Sequence, residues 1–388
     1  MRRVDLPERP DWRARCEQIG FDWHTMYGAA YWTESYAYAL SEAEIDRLDD
    51  ATAELYGLCM RAVDVACDTP GLLDKLQIPA ALHDLVRQSW REGDKDLYGR
   101  FDLRFEADQI KLYEFNADTP TGLYESSVVQ WLWLEEQRQA GLLPAASDQF
   151  NSLHERLCDA LPVLAGNKTL YMASAHAARE DEGTVDYLID CAQQAGIRTV
   201  KLDAADIGVC AENWLRDARD GQLIQRLFKL IPWETMARST MAPTLLNSGR
   251  FLIEPAWKMI LSNKGLLPLL WELFPGHELL LAASWERPAG DAAAYVEKPI
   301  FSREGQNIRI YSTDGALIQD TGGEYGAERT IFQEYAPPPK FETGYVVIGS
   351  WIVAGQPAGI CLREDDGIVT FNLSRFVPHY FVKESDNA

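Results

Sequence analysis

Positive charge is scarce in this chain. Its 388 residues hold 37 lysines and arginines against 59 aspartates and glutamates, a formal charge of −22. A nonspecific binder of nucleic acid or of an anionic membrane needs a cationic face, so neither is expected as a partner. An anionic ligand in a local basic pocket stays allowed. Long apolar runs are also missing. No stretch reaches 18 apolar residues, and the greasy patches at 260–270 and 279–283 are short or broken by Lys264. The start meets Arg2, Arg3, Asp5 and Pro7 before any apolar segment, so no leader is expected and the cytoplasm is the expected location. Seven cysteines and six histidines are dispersed, with no CxxC and no HExxH. That reads as reduced core thiols, and no transition-metal site is expected. No GxxxxGK[ST] phosphate loop occurs either. What is plentiful is apolar and aromatic content, 47% and 11%, enough for a globular chain of two or three domains or one elaborated one.

The first hundred residues read as helical. Ser41 and Glu44 form a capping box ahead of Ile45, Leu48, Leu55, Cys59 and Val63 at near-helical spacing, with a break predicted at Thr69-Pro70-Gly71. Eight aromatics crowd residues 12–38, as a core-covering flap or a stacking surface. Strict alternation predicts strands at 99–105 and 110–116. A loop at 107–109 between them would set Asp102 across from Glu114. A helix is expected just beyond Gly122. An α/β pattern follows: a helix at 151–164, strands at 169–173, 197–202 and 227–231, and a helix at 184–195. A further helix is expected from about Glu254. Beyond 290 strands dominate, at 294–300, 307–311, 330–335, 345–353 and 369–372.

Five constellations carry chemistry. Asp102, Glu114 and Asn116 would gather three hard oxygens near Arg100. They suit Mg²⁺, a carboxylate pair acting on a sugar, or a solvated sheet face laced with salt bridges. Lys298 precedes a short loop holding Ser302, Arg303 and Gly305, which reads as a flap closing on phosphates or as an ordinary hairpin, with Lys264 as a second cation or a helix-terminal lysine. The strand end with Gln333 and Glu334 could face an adenine edge, or be no more than a strand end. Arg363 sits in a charged run, a turn or a further phosphate contact. Glu180 and Asp181 open a helix with acid, as dipole chemistry or as a seat for a cationic amine.

Taken in order, these motifs resemble the synthetase domain of the glutathionylspermidine synthase family. The resemblance runs through 98–102, 112–121 and 254–258, then Asn263-Lys264, Glu297-Lys298-Pro299, 302–305, Gln333-Glu334-Tyr335, Leu362-Arg363-Glu364 and 372–379, nearly the whole chain. It implies an α/β (α+β) ATP-grasp fold with rearranged element order, after a helical region. It also implies an ATP-dependent carboxylate–amine ligase using ATP and Mg²⁺. The implied parts are residues 1–165 with a metal-binding hairpin, a pre-ATP-grasp-like 166–250, and a lid and nucleotide portion at 251–388. On the matching positions, Asp102, Glu114 and Asn116 bind Mg²⁺, and Arg100 contacts the reacting carboxylate and phosphate. Lys264, Lys298 and Arg363 contact phosphates, and Ser302, Arg303 and Gly305 belong to a lid that runs to Gln306. Glu180 and Asp181 match amine-binding carboxylates. The substrates implied are a peptide-like carboxylate such as glutathione and a polyamine or other amine. Bifunctional relatives add an amidase domain with a catalytic cysteine, which is not expected here. A nucleotide-binding protein without turnover, or a carboxylate-pair hydrolase, is the alternative.

Overall fold

Ser41 begins the architecture as its sequence predicts. In the computed structural model, which describes residues 1–106, 109–175, 179–288, 293–342 and 344–383, the Glu44 N–H donates to the Ser41 hydroxyl and the Ser41 N–H to the Glu44 carboxylate, at 3.2 and 2.9 Å. The helix Glu42–Asp68 then buries Ile45, Leu48, Leu55, Cys59 and Val63 and stops before Pro70. Its apolar face packs on a large antiparallel sheet, which gives that stripe a partner to cover.

That sheet runs Arg375–Val377, Gln356–Asp365, Gly344–Val353, Tyr98–Glu106, Gln109–Asn116. Asp102 lies opposite Gly349 on one side and Glu114 on the other. The pairing of Asp102 with Glu114 is as expected, but by a different route. Glu106 pairs with Gln109, one residue short of the anticipated loop (107 and 108 lie outside the described residues). A bulge between Asp102 and Leu103 restores the alignment by leaving Tyr113 unpaired.

A second antiparallel sheet runs Ala283–Ser284, Thr330–Glu334, Tyr295–Pro299, Arg309–Tyr311, Leu317–Asp320. A third is wholly parallel: Leu252–Ile253, Leu227–Leu230, Leu170–Ser174, Thr199–Asp203. The helix Arg179–Gln194 bridges two of its strands and starts five residues ahead of expectation. A fourth sheet joins Arg2–Asp5, Tyr36–Leu40, His379–Val382 and Ser147–Asp148, so both ends of the described chain share one layer. No helix among the described residues is long and apolar enough to cross a membrane.

Three element expectations need correction. Residues 369–372 form a loop, where the carbonyls of Phe371 and Asn372 turn inward to Arg363 instead of meeting a neighbouring strand. The expected helix after Glu254 is one short 3₁₀ turn, Ala256–Met259, and the helix proper comes at Leu266–Leu273. The charged run at 361–367, for which a turn is one of the two readings, begins as the end of the buried strand Gln356–Asp365. There Glu364 accepts the hydroxyls of Tyr36 and Tyr38, which satisfies a carboxylate that the sequence alone presents as solvent-facing.

Candidate active site

Asp102, Glu114 and Asn116 meet on one face of the large sheet. The Asn116 amide donates to the Asp102 carboxylate at 3.1 Å and to Glu114 at 3.4 Å. The convergence depends on Tyr113 being bulged, because a one-residue slip would send Glu114 to the opposite face. The donor set is all oxygen once the amide is turned about its own axis, and hard oxygens are what Mg²⁺ accepts. Charges already balance around it. Arg100 holds Asp102 in a two-pronged contact at 2.7 and 3.2 Å. Lys264 Nζ lies 3.1 Å from Glu114. Burial alone would favour a neutral Glu114, but Lys264 and Lys298 prevail and hold its carboxyl well below the usual range.

The bulge also reaches the second sheet. The Tyr113 carbonyl, left out of the ladder, accepts from Lys298 Nζ at 3.1 Å. Lys298 donates to Gln333 Oε1 at 2.7 Å, and the Gln333 amide donates to the Leu112 carbonyl at 3.0 Å. Burial pulls the Lys298 ammonium down to about 8, against the opposing field of Glu114. Residues 185 apart in the chain thus clip the two sheets together beside the carboxylates.

Two cavities share this seam. One of about 110 Å³ is lined by Lys264, Lys298 and Ser302 with the apolar Val296, Ile308 and Ile310. Its greasy walls and paired lysines suit a flat heteroaromatic ring joined to phosphates. The other, about 260 Å³, is lined by Arg100, Asn116, Thr121, Asp181, Arg303 and Arg363. Asp102, Glu114 and Gly305 border both. The 302–306 loop packs against 368–372 so closely that a Cβ on Gly305, at φ +69°, would sit 2.5 Å from the Thr370 carbonyl. Arg303 is tied to Glu234 at 2.6 Å and to the Thr119 hydroxyl at 3.0 Å.

The remaining expected residues divide. Arg363 lies at the wall of the larger cavity and donates to the carbonyls of Phe371, Asn372 and Ser374. Asp181 lines the same cavity, while Glu180 is buried behind it, 3.5 Å from the Tyr31 hydroxyl. Burial and Glu304 raise Asp181 to about 6. Burial and Glu125 raise Glu180 to about 8. Glu334 is exposed, with its carboxylate 3.3 Å from the Ala282 N–H, and it lines neither cavity. Gln333 is buried among the strands, where its amide locks Lys298.

Sequence reasoning missed the supports. Glu254 accepts the N–H groups of Leu97 and Tyr98, and Lys258 donates to the Tyr98 carbonyl at 2.6 Å. They fix the first residues of the strand that carries Arg100 and Asp102. The buried Lys229–Asp118 pair, 2.6 Å, anchors the 117–121 loop in the same way. Spacing carries no signal of these contacts, although Glu254 to Lys258 stood among the motifs. Dispersal misled in one further place. His154, Cys158 and Cys191 do come together, with donor atoms within 4.8 Å of one another. The two sulfurs flank opposite nitrogens of the one imidazole, at 3.8 and 3.7 Å, and both nitrogens also meet Tyr187 or Gln194. That is a hydrogen-bonded cluster more than a converging ligand set.

Two antiparallel sheets clasping a seam of carboxylates and lysines define the class: the chain has an ATP-grasp fold. A family model described as glutathionylspermidine synthase preATP-grasp matches residues 3–382, and the chain belongs to that family. It is 39% identical over 400 residues to a Haemophilus influenzae protein whose name assigns it provisionally to the acid–amine ligases, covering 98% of this chain and all of that one. It is 26% identical over 380 residues to the bifunctional glutathionylspermidine synthetase/amidase of Escherichia coli, covering 89% of this chain but 59% of that protein. Among solved structures, the apo form of a glutathione synthetase-like effector from Globodera pallida superposes with a TM-score of 0.55 over 89% of each chain at 12% identity, a likeness of fold. Family and fold make this chain an ATP-dependent acid–amine ligase of the ATP-grasp superfamily.

Proposed function

We propose that the chain activates a peptide-like carboxylate, of which glutathione is the leading candidate, as an acyl phosphate and passes it to a polyamine or similar amine. The observation that carries this reading is the seam itself, where Asp102 and Glu114 border both cavities. In this reading ATP enters the smaller cavity, with its ring against Val296, Ile308 and Ile310 and its phosphates toward Lys264 and Lys298. The acid and the amine occupy the larger one. Asp102, Glu114 and Asn116 would hold Mg²⁺, whose charge would offset that of the transferring phosphoryl group. Arg100 and Arg363 stand where the acid's carboxylate and the developing oxyanion need positive charge. The 302–306 loop, resting on 368–372, screens the seam from water that would hydrolyse an acyl phosphate. Residues 1–165 supply the metal-binding strand pair, 166–250 the wall that carries Asp181, and 251–388 the lid and the nucleotide side.

The test is Mg²⁺- and ATP-dependent phosphate release over a matrix of peptides and amines, with mass spectrometry of each hit. Release that needs both partners, with a product lighter than their sum by one water, is the expected outcome. MgATP binding without turnover for any pair would mark a nucleotide-binding descendant instead.

A further inference from the structure

Glu125 has no part in the reaction described so far, yet it is the most demanding side chain near it. It is wholly buried. Its Oε1 takes two neutral donors, the Trp23 indole N–H at 2.8 Å and the Tyr31 hydroxyl at 2.9 Å, and its Oε2 has no partner among the described residues. The same Tyr31 hydroxyl stands 3.5 Å from Glu180, which is 2% exposed. Two carboxyl groups therefore share one hydroxyl inside the protein. Among the described residues, the groups that face them from each packed element are Tyr31, Tyr124, Asp181 and Arg363. Arg363 is the single cation of that set, its guanidinium 5.2 Å from the Tyr31 ring, and its hydrogen bonds go to carbonyls, not to the acids. Adjacent buried carboxylates without a hydrogen-bonded cation repel each other, and burial with Glu125 alongside makes Glu180 hold its proton more tightly.

The pair also has a route to the cavity. The Thr121 side chain faces Glu180, and Thr121 lines the larger cavity beside Asp181. The Trp23 ring that seats Glu125 lies where a Cβ on Gly183 would be, 2.1 Å away, so the glycine on the Glu180 helix is what admits it.

We propose that Glu125 and Glu180, bridged by Tyr31, form one proton-accepting couple behind the amine end of the larger cavity. Glu125 is its positioning residue, keeping Glu180 basic enough to relieve the incoming ammonium of a proton through Thr121. The inference rests on the ligase reading above and deepens it. The step balances. The ammonium gives one proton to the couple, and its freed lone pair attacks the acyl-phosphate carbonyl. The C–O bond to phosphate breaks, and the second N–H proton leaves with phosphate as hydrogen phosphate. Amide, hydrogen phosphate and the protonated couple carry the same atoms and charge as acyl phosphate, ammonium and the ionised couple. A buried acid raised by an anionic neighbour is suited to this, because an acceptor works best when its basicity lies near the operating pH.

Infrared difference titration of the full unliganded chain from pH 5 to 9 reads the couple directly. A buried protonated carboxyl should persist at pH 7 and ionise near pH 8 in the natural chain, and Glu125→Gln should move that ionisation to lower pH by at least one unit. Both carboxylates ionised at pH 6 in the natural chain would overturn the proposal. Phosphate release with glutathione and spermidine gives the second readout. The rate should rise with pH to a limb, and Glu125→Gln should shift that limb acidward by at least one unit and lower the plateau about tenfold or more. A lower rate with an unmoved limb would mean a structural role only and refute the couple. Should Glu125→Gln fail to fold, Tyr31→Phe takes its place. It removes a donor to ionised Glu180, so its limb should move alkaline, and an unmoved limb again refutes. Hydroxamate formation from glutathione, MgATP and hydroxylamine by the natural chain tests the ligase reading alone. If it fails, that reading fails for glutathione, and the infrared titration still decides the couple.

Discussion

A single missing methyl group places Arg100. Gly349 sits beneath its side chain, and a Cβ there would lie 2.7 Å from Arg100 Cδ and 2.6 Å from Cys361 Sγ. Gly349→Ala should therefore push the guanidinium off Asp102. We expect a loss of about 1–3 kcal/mol in stability, read by denaturant unfolding, and at least a tenfold fall in ligase turnover. Unchanged turnover would remove Arg100 from the reaction. The buried acids set a pH dependence at the same scale. Asp181, raised to about 6 first by burial and then by Glu304, and Glu180, raised to about 8 first by burial and then by Glu125, both bind protons more tightly folded than unfolded. Their stabilisation is whole below about pH 4, where the unfolded carboxyls also hold their protons, and is lost as pH rises through about 6 and then 8. The melting temperature of the unliganded chain should fall between pH 5 and 8.5, and Glu180→Gln should flatten the upper part of that fall.

Among the elements, the bulge at Tyr113 and the 302–306 loop do the most. The bulge aims Glu114 inward and frees a carbonyl for Lys298, so one local irregularity serves both sheets. The loop rests on 368–372 only while Gly305 keeps its positive φ against Thr370. Gly305→Ala should open that contact, raise the KM for ATP several-fold and increase phosphate release uncoupled from amide formation, measured as the ratio of the two products. The helix Glu42–Asp68 makes the contrast. Ser41→Ala removes a cap that is worth about 1 kcal/mol, which should lower the melting temperature and leave turnover as it is. Helix and strand periodicity made both strand pair and helix legible in advance. The inward loop at 369–372 and the strand Gln356–Asp365 were not, because apolar content read alone cannot tell a buried partner from a solvent face.

Taken whole, the molecule closes on itself. The strand Tyr36–Leu40 pairs with Arg2–Asp5 on one side and with His379–Val382 on the other, and the large sheet zips Tyr98–Glu106 to Gly344–Val353. Ligand bound at the seam touches elements from both halves of the sequence, so it should stabilise the fold as a unit. MgATP at about 100 times its Kd should add about 2.7 kcal/mol, visible as a raised melting temperature, and Glu114→Ala should abolish that increment. An equal shift in the variant would move the metal and nucleotide away from this seam. By itself the sequence determined most of the local elements, the ordered family motifs and the two strands that carry Asp102 and Glu114, because periodicity and composition act over a few neighbouring residues; the bulge at Tyr113 that aligns the two acids came from the tertiary structure. Only the tertiary structure decided that Glu334 turns away from both cavities, that Gln333 locks Lys298, and that Glu125 and Glu180 share Tyr31. Burial and charge act through space, and their partners come from strands and helices far apart along the chain.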